Sequence, residues 1–319
     1  MNRENIKAHV LALPEVATWP QMAGVFERAG DKPRPDWDLP LLACRAVGGD
    51  PSLATPGAAA VACLYISIIL VDDMLDGDPR GEHLRIGSGP TANLALAFQA
   101  AAFRIVEGAT IGDASRAAVA AVLARLALAT AFGQHLDVQN PTGEENYWRV
   151  VRAKSTPFYS AALQVGALLG GASAQVAEGL RGLGALIGEA VQVYDDLLDA
   201  LESPANPDWT QGRANLPILY ARTADHPERA RFLEIMYQIS DPEILREAQE
   251  ILIRCEAVSY CAYHLARRHR QARRLLAQLS LADPVPMLDL LAQQAHPLAA
   301  LLRAAGLDLP TEHFIELTA

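Results

Sequence analysis

Aromatic residues make up only 6% of the 319-residue chain, and β-branched residues rarely fall into the alternation that a half-buried strand needs. That scarcity excludes an all-β sandwich. Cysteine is also rare. Cys44, Cys63, Cys255 and Cys261 sit in apolar helical contexts with no close Cys or His spacing that reads as zinc ligation, so reduced, packed thiols are expected. Basic side chains number 27 against 37 acidic ones. The formal charge of −10 speaks against nucleic acid or an anionic membrane surface as a general partner, because neutralising phosphates takes a net basic stripe. An anionic substrate would need local cations. The N-terminus lacks the apolar core of a signal peptide, and the longest nearly apolar run, Ala59 to Val71, falls short of the ~20 residues that span a bilayer. A cytoplasmic protein without a membrane span is expected. Gly87-Ser88-Gly89 and Gly182-Leu183-Gly184 follow no predicted strand and no Walker-type loop is present, so a nucleotide fold has no support. The histidines show no metal-ligand spacing and read as surface residues.

What the chain does contain is helix. Alanine and leucine dominate, and periodicity, caps and breakers predict helices at 3–13, 15–29, 39–48, 55–76, 90–109, 113–138, 143–170, 173–201, 214–223, 227–238, 241–280 with a break, 287–295 and 297–305. Pro79, Pro141, Pro204, Pro207, Pro284 and Pro286 fall in the gaps and Pro90 at a helix start, where a missing N–H costs little. Pro157 lies inside a helix and predicts a kink. No linker, low-complexity block or short repeat divides the chain, so residues 1–319 read as a single all-α domain.

Two segments resemble each other: Ile69 to Asp76 and Val191 to Asp199. Each carries Asp-Asp-x-x-Asp at the end of a mainly apolar helix. On a helix, i and i+4 share a face and i+1 lies ~100° around, so each motif presents three carboxylates over little more than one turn. Carboxylates ~5 Å apart repel by roughly 3 kcal/mol at an effective dielectric of 20, so a converging set must spread into water, take up protons or bind cations. A single copy is ordinarily a solvated acidic helix end. Two copies with the same spacing and the same apolar lead-in point instead to a metal-diphosphate site, and hard oxygen ligands without His or Cys select Mg²⁺.

With these motifs in view the chain resembles the trans-isoprenyl diphosphate synthases, the polyprenyl synthetase family. The likeness runs from about residue 30 to 280 and rests on an ordered set of segments. Ala43 to Asp76 looks like the helix that leads into the first aspartate motif, and Gly133-Gln134-His135-Leu136-Asp137 like a Gly-Gln-x-x-Asp segment. Glu144 to Ser155 resembles the stretch ending in a Lys-Thr/Ser pair, Gly188 to Asp199 the glutamine-containing second motif, and Gly212 to Pro217 a Gly-Lys-x-Thr-Leu-Pro segment.

The resemblance implies a helical bundle around a deep cavity, in which three Mg²⁺ ions bridge the aspartates and an allylic prenyl diphosphate. It implies Asp72, Asp76 and Asp195 as metal ligands, with Asp73, Asp196 and Asp199 as further ligands or as groups that orient them. Lys154, Arg80 and Arg213 would bind the diphosphate. Ser155 and Gln192 would turn oxygen lone pairs toward the allylic cation, and an apolar wall would keep water away. Against these roles stand plainer ones: a surface lysine, a serine bonded to its own helix, a buried amide. Gln134 and Asp137 read as structural hydrogen-bonding groups, and the basic run from Ala266 to Arg274 as a solvated helix face. A homodimer is also implied.

The basic residues around the diphosphates are thinned relative to the family. The Gly-Gly-Lys-Arg-x-Arg-Pro segment that serves isopentenyl diphosphate is reduced here, either to Gly30-Asp31-Lys32-Pro33-Arg34-Pro35 or, in a second register, to Arg34-Pro35-Asp36-Trp37-Asp38-Leu39-Pro40. Only Arg80 remains of an arginine pair after the first motif, and the lysine after the second is absent. Three readings follow: a prenyltransferase that condenses the allylic cation with isopentenyl diphosphate or another acceptor; a terpene synthase that ionises the same substrate without isopentenyl diphosphate; and a non-catalytic subunit of a synthase, against which the intact aspartates count.

Overall fold

In a computed structural model, which describes residues 2–31 and 34–304, the chain folds into α-helices and short 3-10 turns, with no strand among the described residues. The first half comprises α1 (Asn2–Leu11), α2 (Pro14–Ala17), α3 (Pro20–Asp31), α4 (Leu39–Ala46), α5 (Thr55–Asp76), α6 (Glu82–Ile86), α7 (Ser88–Gly108) and α8 (Asp113–Val138). Then follow α9 (Glu144–Lys154), α10 (Thr156–Leu169), α11 (Ala174–Leu201), α12 (Pro207–Thr210) and α13 (Leu216–Thr223). The chain continues with α14 (Arg229–Ile235), α15 (Pro242–Arg254), α16 (Ala257–Gln278) and α17 (Val285–Ala304). The all-α class expected from composition is what is found.

Most departures from the expected boundaries trace to proline. The 143–170 helix is two, because Pro157 has no N–H to offer the carbonyl of Ala153, and the chain turns at Ser155. The 15–29 helix divides at Thr18, whose hydroxyl bonds back to Pro14 O, and Pro20 opens the next segment. Pro207 and Pro286, placed in gaps by the sequence, lie in the first turns of α12 and α17. The break expected within 241–280 falls at Cys255–Glu256, whereas α17 runs unbroken through Pro297. The short α6 was not expected.

α5 lies at the centre, packed against α1, α4, α7, α8 and α10. It is apolar on nearly every side, as a helix with neighbours all round must be. Gly77 stops it, adopting a left-handed φ of 62° with its N–H on Asp73 O, so that the first aspartate motif occupies the last turn. α11 spans two apolar cores: Leu180, Leu183 and Ile187 pack in the first, Val193, Leu197 and Ala200 in the second, beside α13, α15 and α16. Burying each such leucine or isoleucine contributes roughly 1.5–3 kcal/mol.

Two glycines set the crossings that matter for the site. A Cβ on Gly133 would collide with the backbone of Ala153, and one on Gly188 would lie 2.7 Å from Thr156 Cα. Without side chains at these positions, α8 closes onto α9 and α11 onto the start of α10.

The four cysteines are free and buried, as expected. Stretches 51–76 and 113–138 are long and apolar enough to cross a membrane by length and composition, but 72% of the first, as in a core helix, and 39% of the second are buried inside the protein. Two other expectations are corrected. The 266–274 run is not wholly a solvated face: Arg268 is 5% exposed, lies 4.0 Å over the Trp148 ring and pairs with Glu189 at 3.0 Å. His264 is likewise interior, between Trp148 and Tyr260, and burial holds its imidazole down to about 4.

Candidate active site

The ends of α5 and α11 open on one cavity of about 490 Å³. Asp72, Asp76, Asp195, Asp196 and Asp199 line it, together with Arg80, Lys154, Ser155, Gln192 and Arg213. The sequence-predicted residues are thus brought together with one exception: Asp73 does not line the cavity. Being one position round from Asp72, it faces the 77–83 loop, where burial and the charges of Asp78 and Asp72 push its carboxyl up to about 6.

Three carboxylates cluster most tightly. Asp72, Asp76 and Asp137 each offer an oxygen within 4.8 Å of the others. Asp137, which the sequence suggests is only a structural hydrogen-bonding group, stands here because Gly133, one turn earlier on α8, lets that helix close onto α9. Gln134, 4% exposed, donates to Asp72 Oδ1. Among the described residues, all-oxygen donors without His or Cys fit a hard divalent cation such as Mg²⁺ or Ca²⁺.

The cations meant for the diphosphate rest on these acids. Lys154 Nζ lies 2.8 Å from Asp72 Oδ1 and 2.5 Å from Asp137 Oδ2; burial alone would lower its pKa, but the two carboxylates outweigh that and raise it. Arg213 Nη1 lies 2.7 Å from Asp76 Oδ2, and its Nη2 donates to Asp76 O. Arg80 stands at the rim, its side chain 87% exposed and paired with Asp78 at 3.0 Å.

The second motif divides its labour. Burial, Asp199 and Asp36 push the Asp195 carboxyl up to about 7. Asp199 accepts from Asn206 Nδ2 at 2.9 Å, and burial, Asp208 and Glu202 raise it to about 6. Asp196 is enclosed, at 2% exposure. It accepts from Tyr147 Oη, Gln192 Nε2 and the Leu216 amide at 2.6, 2.8 and 2.9 Å, and burial outweighs these donors to hold it near 7. Ser155 Oγ donates to Gln192 Oε1 at 2.6 Å. Sequence reasoning gave no role to Tyr147, Asp208 and Asn215, which also touch this wall; Tyr147 and Asn215 carried a signal only as members of the segments Glu144 to Ser155 and Gly212 to Pro217.

On the acceptor side, Lys32 lies outside the described residues. Arg34 donates to Tyr65 Oη at 3.0 Å and Ala29 O at 3.1 Å and stacks on the Tyr65 ring, so much of its guanidinium is already engaged.

An all-helical bundle with two facing aspartate clusters over one cleft defines the isoprenoid synthase class, and comparisons narrow it. Residues 25–252 match the polyprenyl synthetase family model. The chain is 32% identical over 287 residues to the short chain isoprenyl diphosphate synthase of Methanothermobacter thermautotrophicus, covering 82% of this chain and 85% of that protein. It is 26% identical to the octaprenyl diphosphate synthase of Escherichia coli over 81% and 82% of the two chains. Geranylgeranyl pyrophosphate synthetase from Pyrococcus horikoshii superposes with a TM-score of 0.80 at 22% identity, over 91% of this chain and 94% of that one. Polyprenyl synthase from Caulobacter crescentus, solved with calcium and isoprenyl diphosphate, superposes at 0.74 and 21% identity, over 100% and 93%. The chain belongs to the polyprenyl synthetase family.

Proposed function

We propose that the cleft binds an allylic prenyl diphosphate, with Asp72, Asp76, Asp195 and Asp199 holding up to three Mg²⁺ ions and Asp137 beside them, and releases diphosphate as the prenyl group is transferred. The chain is a prenyltransferase, an isoprenyl diphosphate synthase that condenses the allylic group with isopentenyl diphosphate. The observation that carries this reading is the convergence of both aspartate motifs with Lys154 and Arg213 on one cavity. Bound Mg²⁺ supplies neutralisation of the leaving diphosphate. Lys154 and Arg213, now resting on Asp72, Asp137 and Asp76, are placed to donate to its oxygens, and Arg80, paired with Asp78 at the exposed rim, can turn from it to join them. Ser155, its hydroxyl donating to Gln192 Oε1, holds an oxygen beside the carbon that becomes cationic, and the apolar stem of α5 excludes water.

The engagement of Arg34 by Tyr65 favours, as a second reading, a terpene synthase that ionises the same substrate and needs no second diphosphate pocket. Because α11 contributes to both cores, residues 1–319 are taken as one domain. Leu96 on α7 and Leu128 and Phe132 on α8 are exposed apolar side chains that support a homodimer through these helices. A cytoplasmic location belongs to the same proposal.

Asp72→Ala and Asp195→Ala test it directly. Each should cut Mg²⁺-dependent turnover of an allylic diphosphate by more than about 100-fold. Turnover near that of the wild type in either variant would contradict the two-cluster site.

A further inference from the structure

Resting on the reaction just proposed, we infer that Tyr147 and Asp196 are positioning residues that aim the Ser155 oxygen at the developing cation, and that Gln192 acts through Ser155 rather than on the cation itself. Four side chains, from α9, α11 and the α9–α10 junction, form one hydrogen-bonded chain. Tyr147 on α9 donates to Asp196 Oδ2 on α11 at 2.6 Å, Gln192 on α11 donates to Asp196 Oδ1 at 2.8 Å, and Ser155, at the α9–α10 junction, donates to Gln192 Oε1 at 2.6 Å.

The direction of this chain is set at its buried end. Asp196 meets three donors, because the Leu216 amide at the start of α13 joins Tyr147 and Gln192. In its ionised form a carboxylate so placed can only accept. The Gln192 amide must therefore turn its NH₂ toward Asp196 and its carbonyl toward Ser155. That carbonyl takes the single proton Ser155 owns, so the hydroxyl presents only lone pairs to the cleft. A free serine hydroxyl would rotate and could turn its hydrogen toward the positive charge. Both oxygens of Asp196 are engaged in this arrangement, Oδ2 by two donors and Oδ1 by one, so its part here is to orient its neighbours. Tyr147 is 2% exposed and holds its own orientation by packing edge-on against Trp148, ring centroids 5.0 Å apart.

A double-mutant cycle on kcat and KM tests the relay. Tyr147→Phe removes one hydroxyl and keeps the ring. It and Ser155→Ala should each lower kcat about tenfold while leaving KM for the allylic diphosphate within about twofold of wild type. If Tyr147 works through Ser155, the double variant Tyr147→Phe/Ser155→Ala is no slower than Ser155→Ala alone. Losses that multiply would overturn the inference, since a merely structural tyrosine damages the enzyme whatever stands at position 155. Should Tyr147→Phe fold poorly, the cycle of Gln192→Met with Ser155→Ala carries the same test: non-additive losses support the relay, and multiplying losses place Gln192 directly on the cation. Wild-type protein that fails to consume any allylic diphosphate would sink the underlying reading, whereas an active wild type with multiplying losses sinks the relay alone.

Discussion

Arg213 reaches Asp76 across 137 positions of sequence, with Nη1 2.7 Å from Oδ2 and Nη2 2.9 Å from the backbone carbonyl. Two residues later Asn215 donates to Asp196 O at 2.8 Å, and the next amide, of Leu216, to Asp196 Oδ2. One short segment before α13 thus ties the end of α5 to the end of α11. The spacing between the two aspartate motifs is held by this strap as well as by the cores beneath them.

Lys154 competes for the acids that a metal would use, because its ammonium lies within 2.8 Å of Asp72 and 2.5 Å of Asp137. Lys154→Met should therefore bind Mg²⁺ alone more tightly than wild type, by about three- to tenfold, while losing most of its turnover. Isothermal titration without substrate, run beside a rate assay, checks both halves. Weaker Mg²⁺ binding in the variant would contradict the competition.

Burial and the charges of Asp199 and Asp36 raise the Asp195 carboxyl to about 7, against an ordinary value of 3.8. The folded, metal-free protein then keeps a proton that the unfolded chain releases near pH 4, so this residue costs stability progressively as pH rises from about 4 to 7. His264, held down to about 4, titrates in the opposite sense, and a paired comparison cancels it. The melting temperature of Asp195→Asn minus that of wild type should be near zero at pH 4, grow through pH 7 and then level off. A difference independent of pH would contradict the assignment.

Gly188 lets α11 approach Thr156 and Ser155. Gly188→Ala places a Cβ 2.7 Å from Thr156 Cα and 3.2 Å from Ser155 O, backbone that cannot swing aside. We expect about 1–3 kcal/mol of destabilisation by chemical denaturation and a slower enzyme, because the Ser155–Gln192 contact moves with the helices. Full stability and rate would mean that the crossing tolerates a methyl group.

Much of this was legible in the sequence because the signals are local. α5 and α8 end where Gly77 and the periodicity place them, and Pro157 announces the turn that carries Lys154 and Ser155. The paired Asp-Asp-x-x-Asp motifs locate the site because helical spacing alone fixes which carboxylates share a face. What stayed hidden depends on which helices cross. Asp137 joins Asp72 and Asp76 only through the α8–α9 approach at Gly133. Asp196 turns away from solvent because Tyr147 and Leu216 arrive from other elements. Arg268 looks like one more cation in a basic run until Glu189 and Trp148 are set beneath it.

The most direct test of the central claim is a product assay with Mg²⁺ and geranyl, farnesyl or geranylgeranyl diphosphate, each with and without isopentenyl diphosphate. A longer prenyl diphosphate should form only when both isopentenyl diphosphate and Mg²⁺ are present. Hydrocarbon or alcohol products formed equally well without isopentenyl diphosphate would contradict it and assign the cleft to a terpene synthase.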